Sequence, residues 1–239
     1  MTINSIAGIT NVALCNQAIE HAQERAPSLP GIVVFHGHSG LGKSFAASFA
    51  ANRHRAYYIQ CKSTWTRKAF LEAILKDMGI PPAKNLASMT DQICEELMLS
   101  NRPLIIDEAD YLADKNRIMM VMDLYEGSQA AIMLIGEERL PAKLSTFEKI
   151  HNRILQWVPA VPCELDDVAQ LAGIYAPNIN IDLALMENLH RATKGVTRRI
   201  CVNLDNIAAF AKDEGINAIN LHNYTEPFFT GQAPRGRAA

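Results

Sequence analysis

The stretch from Gly37 to Ser44 has the spacing of a phosphate-binding loop. It reads GHSGLGKS and matches the pattern G-x-x-x-x-G-K-[ST], between the apolar run IVVF and the helical pattern FAASFAA. Glycines at these positions let backbone N–H groups turn toward phosphate oxygens, and a following helix presents its positive end to the anion. We therefore predict that the loop binds a nucleotide. Its residues are Gly37, His38, Ser39, Gly40, Leu41, Gly42, Lys43 and Ser44.

Lys43 and Ser44 carry separate parts of the expected chemistry. The Lys43 ammonium is placed to reach the β- and γ-phosphates, and the Ser44 hydroxyl is placed to ligate Mg²⁺. The alternative is a glycine-rich turn with an incidental lysine. Because the loop follows a strand pattern and precedes a helical pattern, we favour a nucleotide site, with ATP and Mg²⁺ as the cofactors.

Two carboxylates, Asp107 and Glu108, lie at the end of the apolar run LIID, residues 104–107. Asp107 would lie at the C-terminal edge of that strand and hold Mg²⁺ through water. Glu108 follows it and is placed to act as general base on an attacking water. The alternative is a buried strand followed by a solvated acidic turn that continues to Asp110. An activated water favours hydrolysis over transfer of a phosphoryl group to a small metabolite.

Strand and helix patterns alternate through the first two thirds of the chain. Five short apolar runs predict strands: 32–36, 55–61, 104–107, 130–136 and 154–158. Helical patterns separate them, and one helix is expected over much of 140–153. This alternation predicts an α/β fold with a parallel five-stranded sheet sandwiched by helices.

The pattern changes near Pro159 and Pro162, after which the chain shows helical patterns. We predict an α/β nucleotide-binding domain over 1–160 and a small all-α lid domain over 161–222. The segment 223–239 is rich in Pro, Gly and Arg and is expected to be a disordered tail.

Composition narrows the class of protein. The chain has 239 residues, is 49% hydrophobic and has a net charge of −2, so a packed core is expected and a uniformly basic surface is not. No apolar run approaches the roughly 20 residues of a membrane span. The five cysteines form no C-x-x-C pair and predict reduced thiols in a cytoplasmic protein.

Five motifs, in their order along the chain, resemble those of the AAA+ ATPases: GHSGLGKS, LIIDEAD, IMLIGEERL, FEKIHNRI and GVTRR. Within this family, the chain resembles the initiator-type branch that includes the phage Mu B protein and related transposition ATPases. TNVALCNQAI ahead of the first strand, the short helical lid, and LIGEE followed by FEKIHNRI carry this closer resemblance.

The resemblance extends the assignment of roles. Taken alone, an arginine is most often part of a surface ion pair. By resemblance, Arg153 is the candidate arginine finger and Arg198 is the candidate lid sensor, with Arg199 as an alternative in register. The finger and the sensor would each support catalysis by Glu108. Glu137 departs from the family, because relatives commonly have Asn there, and its role is left open.

The segment CKSTWTRKAF, residues 61–70, is the first candidate for DNA binding. In AAA+ initiators that form rings or filaments, loops in this region line the central channel. The candidate contacts are Lys62, Thr64, Arg67 and Lys68, because cations and hydroxyls suit backbone phosphates. The alternative is a solvated helix start with Trp65 packed on the core.

Two further basic segments are weaker candidates for DNA binding. They are Lys115 with Arg117, and Arg235 with Arg237 near the end of the chain. The chain also lacks room for the separate N-terminal DNA-binding domain of the Mu B protein, so the ATPase module is expected to make any DNA contact.

These inferences predict an ATP-dependent, DNA-binding AAA+ ATPase that oligomerises on DNA and selects or delivers target DNA for transposition. Its expected partners are double-stranded DNA of any sequence, further copies of itself in a ring or helical filament, and a transposase, but no membrane. ATP hydrolysis would be coupled to assembly and release. The alternatives are an AAA+ helicase loader or replication initiator, a P-loop kinase that needs an acceptor, and a nucleotide-gated scaffold.

Overall fold

The computed structural model describes residues 8–115 and 117–232. Its larger compact unit comprises residues 11–39 and 43–160. The strands of this unit are β1 (Ile32–His36), β2 (Tyr57–Gln60), β3 (Leu104–Asp107), β4 (Ile132–Gly136) and β5 (Ile154–Pro159). Its helices, with α1 starting one residue before the unit, are α1 (Thr10–Glu24), α2 (Lys43–His54), α3 (Arg67–Met78), α4 (Leu86–Ser100), α5 (Asp110–Asp114), α6 (Met119–Ser128), α7 (Leu140–Ser145) and α8 (Glu148–His151).

All five strands pair in parallel in the order β2-β3-β4-β1-β5. The predicted α/β fold with a five-stranded parallel sheet is thus confirmed. β3 and β4 are buried along their whole length, as expected for strands covered on both faces. Because parallel strands share one direction, the chain leaves β1, β2, β3 and β4 at the same edge of the sheet. The phosphate loop, which follows β1, and the Asp107–Glu108 pair, which ends β3, therefore lie at this edge.

The core explains why these segments fold as they do. Apolar side chains from the sheet, from α3 and α4 and from α6 form one buried cluster, in which Phe70, Ile106 and Leu134 are fully buried. Burial of such side chains contributes roughly 1.5–3 kcal/mol each. The packed sheet therefore determines the positions of the residues at the end of each strand.

One helix prediction needs correction. The single helix expected over 140–153 is two short helices, α7 and α8, because the chain turns at Thr146 and Phe147. α4 begins at Leu86, where the side chain of Asn85 caps it by accepting from the Ser88 N–H at 2.9 Å.

The smaller unit comprises residues 40–42 and 161–232, with the described residues up to Thr10. Its elements are α9 (Leu165–Tyr175), β6 (Asn180–Ile181), α10 (Leu183–Thr193), α11 (Thr197–Glu214) and β7 (Ala218–Ile219). It is mainly helical, and β6 and β7 add a short parallel ladder that the sequence patterns do not predict. The domain boundaries themselves stay a prediction.

The described part of the expected disordered tail lies against α11. Tyr224 is buried, with its ring 5.3 Å from that of Phe210 and 5.8 Å from that of Phe228. The fully buried Asn203 donates to the Phe229 carbonyl at 2.9 Å and accepts from its N–H at 2.8 Å. These contacts offset the entropy cost of ordering a Pro- and Gly-containing segment. Arg235 and Arg237 lie outside the described residues.

Within 8–115 and 117–232, every helix is too short or too polar to cross a membrane. The cysteines are free, and four of the five are buried.

Candidate nucleotide-binding site

The phosphate loop connects β1 to α2, as its sequence predicts. Gly40 and Gly42 have φ values of +88° and +82°, a left-handed conformation that only glycine adopts at low cost. The Gly37 N–H donates to the Gly136 carbonyl at 3.3 Å, which ties the start of the loop to the end of β4. The backbone required for a phosphate cradle is therefore set by the glycine spacing.

Lys43 is the first residue of α2, and its side chain turns back over the loop. Its Nζ donates to the carbonyls of Gly37 at 2.6 Å and His38 at 2.9 Å. Burial lowers the pKa of the Lys43 ammonium, while the negative charges of Asp107 and Glu108 oppose that shift. Ser44 follows in the first turn of α2. A cation and a hydroxyl thus share the helix N-terminus that a phosphate group would approach.

Asp107 ends β3 and is 2% exposed. One carboxylate oxygen, Oδ2, accepts from the Tyr58 hydroxyl at 3.0 Å, and the other, Oδ1, accepts from the Glu108 N–H at 2.8 Å. Burial first, and then the neighbouring Asp107 carboxylate, raise the pKa of the Tyr58 hydroxyl, so Tyr58 remains a donor. Each oxygen keeps a further lone pair, which suits outer-sphere binding of Mg²⁺.

The residues present fit a nucleotide-bound Mg²⁺. Such an ion takes most of its ligands from phosphates and water and needs only one or two protein oxygens. Ser44 would supply one of these oxygens directly, and Asp107 would hold the ion through water. When bound, the ion neutralises charge that develops on the phosphates.

Glu108 has a strained backbone and a perturbed carboxyl, two features that are common at functional sites. Its φ of +56° lies in the left-handed region, which costs a non-glycine residue free energy and is often found at functional sites. Burial first, and then repulsion from Asp107, Asp110 and Glu137, raise the pKa of the Glu108 carboxyl, whereas Lys43 lowers it. A carboxylate of raised pKa takes a proton from water more readily than an ordinary glutamate does.

Asp110 lies in this site but was given no role by the sequence interpretation, where it appears only as the end of the alternative, a solvated acidic turn. The carboxylate is 6% exposed. Its Oδ2 accepts from the Glu137 N–H at 2.7 Å, and its Oδ1 accepts from Lys143 Nζ at 2.9 Å. Asp110 therefore connects the segment after β3 with the segment after β4. No single-sequence signal distinguishes this buried carboxylate from an exposed one.

The segment after β4 brings two more carboxylates to this edge of the sheet. Glu137 is exposed, and its charge acts on Lys43 and Glu108. Oε2 of Glu138 lies 2.5 Å from Nδ1 of His38, an exposed pair that joins this segment to the phosphate loop. Glu137 is thus close enough to the site to tune the charge of the predicted base.

Comparison with known proteins identifies the family. Residues 25–144 match the AAA domain, which is half of the chain. The chain belongs to the AAA domain family. The match spans the phosphate loop, the Asp107–Glu108 pair and the segment after β4. No curated protein matches the sequence.

Solved structures show the same fold. Cdc6p from Pyrobaculum aerophilum has a TM-score of 0.60 at 15% identity, over 87% of this chain and 63% of that one. RuvB of Thermotoga maritima, a Holliday junction branch migration motor, has a TM-score of 0.59 at 16% identity, over 89% of this chain and 65% of that one. The chain therefore spans less than two thirds of the structures that it resembles.

Arg153 lies far from the phosphate loop along the sheet. It immediately precedes β5, and its carbonyl accepts from the N–H of Ile32, the first residue of β1. The phosphate loop leaves the opposite end of β1, about 16 Å away for five residues at the usual rise. Arg153 and the phosphate loop are thus at opposite edges of the sheet, and the role of Arg153 stays a prediction.

Arg198 and Arg199 open α11 in the smaller unit. The Arg198 N–H donates to the carbonyl of Gly40, a residue of the same unit, at 2.9 Å. The Arg199 side chain instead lies against Gly231, where an added Cβ would approach its Nε to 2.9 Å. This difference favours Arg198 over Arg199 as the lid sensor, although that role is still a prediction.

The predicted DNA-binding residues lie in the loop between β2 and α3 and in the first turn of α3. All four, Lys62, Thr64, Arg67 and Lys68, are exposed. Trp65 is partly buried and packs against the core, as its alternative interpretation expects. Thr66 caps α3 by accepting from the Ala69 N–H at 3.1 Å.

The second candidate basic segment meets this loop. Nζ of Lys115 donates to the Ser63 carbonyl, and Nη1 of Arg117 donates to the Trp65 carbonyl. Lys115 and Arg117 come from the chain after α5, more than 50 residues away from the loop in sequence. We call these five cations, from the two segments together, the cationic patch. Its members are Lys62, Arg67, Lys68, Lys115 and Arg117.

Proposed function

We propose that this AAA+ ATPase assembles on double-stranded DNA in its ATP-bound form and selects or delivers target DNA for transposition. The observation that carries the DNA-binding part is the cationic patch, in which two separate segments place cations at the sheet edge that also holds the phosphate loop. The transposition part rests on the resemblance of the motif order to transposition ATPases.

ATP hydrolysis is the proposed chemistry of the site. The phosphate loop would hold the triphosphate, with Lys43 on the β- and γ-phosphates and with Ser44 and Asp107 at Mg²⁺. Glu108 would take a proton from the attacking water. The shared location of Lys43 and Glu108, each of which affects the other's pKa, supports their joint action on one phosphate group.

Oligomerisation is proposed because one chain cannot complete the site. Arg153 and the phosphate loop occupy opposite edges of the sheet, so Arg153 could neutralise γ-phosphate charge only in a neighbouring copy. Copies that associate through these two edges would repeat head to tail, which generates a ring or a helical filament. Repetition would also place successive cationic patches along a duplex.

DNA binding is proposed to be independent of sequence. Lysine and arginine contacts to backbone phosphates carry no direct sequence information. The net charge of −2 leaves the patch as a local feature, and multiple copies would add its contacts. A transposase is the proposed protein partner, and the free cysteines agree with a proposed cytoplasmic location.

The test measures binding of labelled duplex DNA by anisotropy, with ATP and with ADP, on two duplexes of unrelated sequence. The same samples are imaged by negative-stain microscopy. We expect ATP-dependent, cooperative binding to both sequences and ordered assemblies on DNA. DNA-independent assembly, or turnover that requires a small-molecule acceptor, would contradict the proposal. A transposition assay with a candidate transposase then separates target delivery from helicase loading, since only delivery changes the insertion yield.

A further inference from the structure

Arg153 is held by an ion pair within its own chain. Its Nε donates to Oε1 of Glu126 at 2.8 Å, and the two side chains are 42% and 44% exposed. Glu126 belongs to the last turn of α6, whereas Arg153 precedes β5. Two different elements of the larger unit therefore determine where this guanidinium lies.

Glu126 contacts the Nε side of the Arg153 guanidinium, not its two Nη groups. A guanidinium has five N–H donors in a rigid planar fork, and two parallel Nη donors suit bidentate binding of a phosphate. The contact with Glu126 uses Nε, so the four donors of the two Nη groups take no part in it. A contact that withheld Arg153 from phosphate would be expected to occupy those Nη groups.

The pair borders a concave surface. A cavity of about 400 Å³ is lined by Arg153 and Glu126 together with Asp123 and Lys149, among others. Asp123 lies one helical turn before Glu126 on α6 and is exposed. The cavity therefore has room beside the guanidinium, and Asp123 provides a carboxylate in the same surroundings.

We infer that Glu126 is a positioning residue for Arg153. Its carboxylate fixes the Nε edge of the guanidinium and leaves both Nη groups for the γ-phosphate of a neighbouring copy. This inference rests on the proposed action of Arg153 in a neighbouring subunit. Arginine loses considerable side-chain entropy when it is fixed in one conformation. The ion pair with Glu126 would restrict the Arg153 side chain before the subunits associate, so less entropy would be lost on association.

The expected effect is small and specific. An exposed ion pair changes an equilibrium by up to about fivefold, so Glu126→Ala should lower kcat for ATP hydrolysis on DNA about two- to fivefold. KM for ATP should not change, because Glu126 is not part of the phosphate loop. Glu126→Gln keeps a carbonyl oxygen that can accept from Nε, and it should retain most of the turnover.

The experiment compares Glu126→Ala and Glu126→Gln with Asp123→Ala as the matched control. Asp123→Ala removes one carboxylate from the same helix and cavity, and it should leave kcat unchanged. Each variant is assayed for kcat and KM on saturating duplex DNA, after its melting temperature has shown that it folds. Glu126→Ala is also combined with Arg153→Ala, where it should have no further effect on single-turnover hydrolysis.

Several outcomes would overturn the inference. A rise in turnover in Glu126→Ala would show that Glu126 restrains Arg153, and an unchanged kcat would show that it does not position Arg153. An equal loss in the Arg153→Ala background would show a structural role. Failure of the proposed function is distinguishable, because wild-type turnover would then ignore DNA or Arg153→Ala would be fully active; either result also removes the basis for this role of Glu126.

Discussion

At the residue scale, the backbone conformation and the charged neighbours of Glu108 distinguish it from an ordinary surface glutamate. The chain leaves β3 in a left-handed conformation at this residue, which a glutamate adopts only at a cost of about 1 kcal/mol or more. The Ala109 N–H then donates to the Ile135 carbonyl at 2.8 Å, which holds the turn in place. The same turn puts Glu108 among Asp107, Asp110 and Glu137, and burial first, then repulsion from this cluster, raises the pKa of the Glu108 carboxyl.

Replacing Glu108 by glutamine should separate binding from hydrolysis. The amide has nearly the same shape but cannot accept the proton of the attacking water. General base catalysis contributes about 10²- to 10⁴-fold, so hydrolysis should fall at least about 100-fold while ATP affinity stays near that of the wild type. Fluorescent-ATP titration and a phosphate-release assay measure the two quantities. Wild-type turnover in a folded Glu108→Gln variant would exclude Glu108 as the base.

The pH dependence of turnover should follow the charge of Glu108. A raised pKa means that the carboxylate becomes protonated at a higher pH than the ordinary 4.5, so activity should fall on the acid side as pH drops through that raised value. Glu137→Gln removes one of the repelling charges and should move this acid limb to lower pH. Glu138→Gln, which changes the charge beside His38, is the comparison. An acid limb that stays in place in Glu137→Gln would contradict the assignment.

At the element scale, Gly136 and Asp110 determine the position of the segment that follows β4. A Cβ at residue 136 would lie 2.2 Å from Oδ2 of Asp110 and 2.7 Å from Cδ2 of Leu140. Gly136 therefore leaves room for the Asp110 carboxylate that accepts from the Glu137 N–H. The hydrogen bond to Asp110 holds the backbone of Glu137 beside the site.

Gly136→Ala should destabilise the fold and displace this connection. Overpacking of a buried position costs typically 1–3 kcal/mol, so the free energy of unfolding should fall by about that amount. Gly173→Ala is the matched control, because nothing lies within 4 Å of the added Cβ on α9 and alanine favours a helix by about 0.5–1 kcal/mol. Urea denaturation measures both changes. Equal stability of the two variants would show that residue 136 tolerates a side chain.

Much of the fold could be predicted from the sequence, because the strands and the phosphate loop are encoded by local sequence patterns. β1, β3 and β4 are largely continuous apolar runs, and the glycine spacing that forms the phosphate loop is itself the motif. The strand order and the meeting of Lys115 with Ser63 depend on tertiary packing that no local pattern encodes. Asp110 shows the same limit, since its burial follows from the distance between two segments that are 27 residues apart in sequence.

At the scale of the whole molecule, the candidate catalytic groups are divided between two edges of one sheet. Lys43 and Glu108 lie at one edge, and Arg153 lies at the other. A parallel sheet makes this separation unavoidable, because the start and the end of a strand cannot approach one another. Association of copies is therefore the way in which Arg153 could serve a nucleotide.

Mixed assemblies test this division of labour. Arg153→Ala subunits should bind ATP normally but turn it over slowly, and Lys43→Ala subunits should bind ATP weakly. A mixture should regain part of the wild-type activity, because some interfaces would combine an intact phosphate loop with an intact Arg153. Phosphate release is measured across mixing ratios, with co-purification of differently tagged subunits to confirm mixed assembly. Absence of any regain in confirmed mixed assemblies would argue against a role for Arg153 in the neighbouring subunit.

The cationic patch should determine affinity for DNA only in assembled form. One copy offers few cations against screening at physiological salt, whereas repeated copies add their contacts. Lys62→Ala with Lys68→Ala should weaken binding equally on all sequences and reduce the steepness of its salt dependence, by about one to two per subunit in the slope of log K against log salt. Lys76→Ala with Lys84→Ala removes the same charge from two exposed positions outside the patch and should leave that slope unchanged. Anisotropy of labelled duplex DNA over a salt series, with ATP, measures both. If the two double variants behave alike, the patch is not the DNA contact, since general charge alone would then explain the binding.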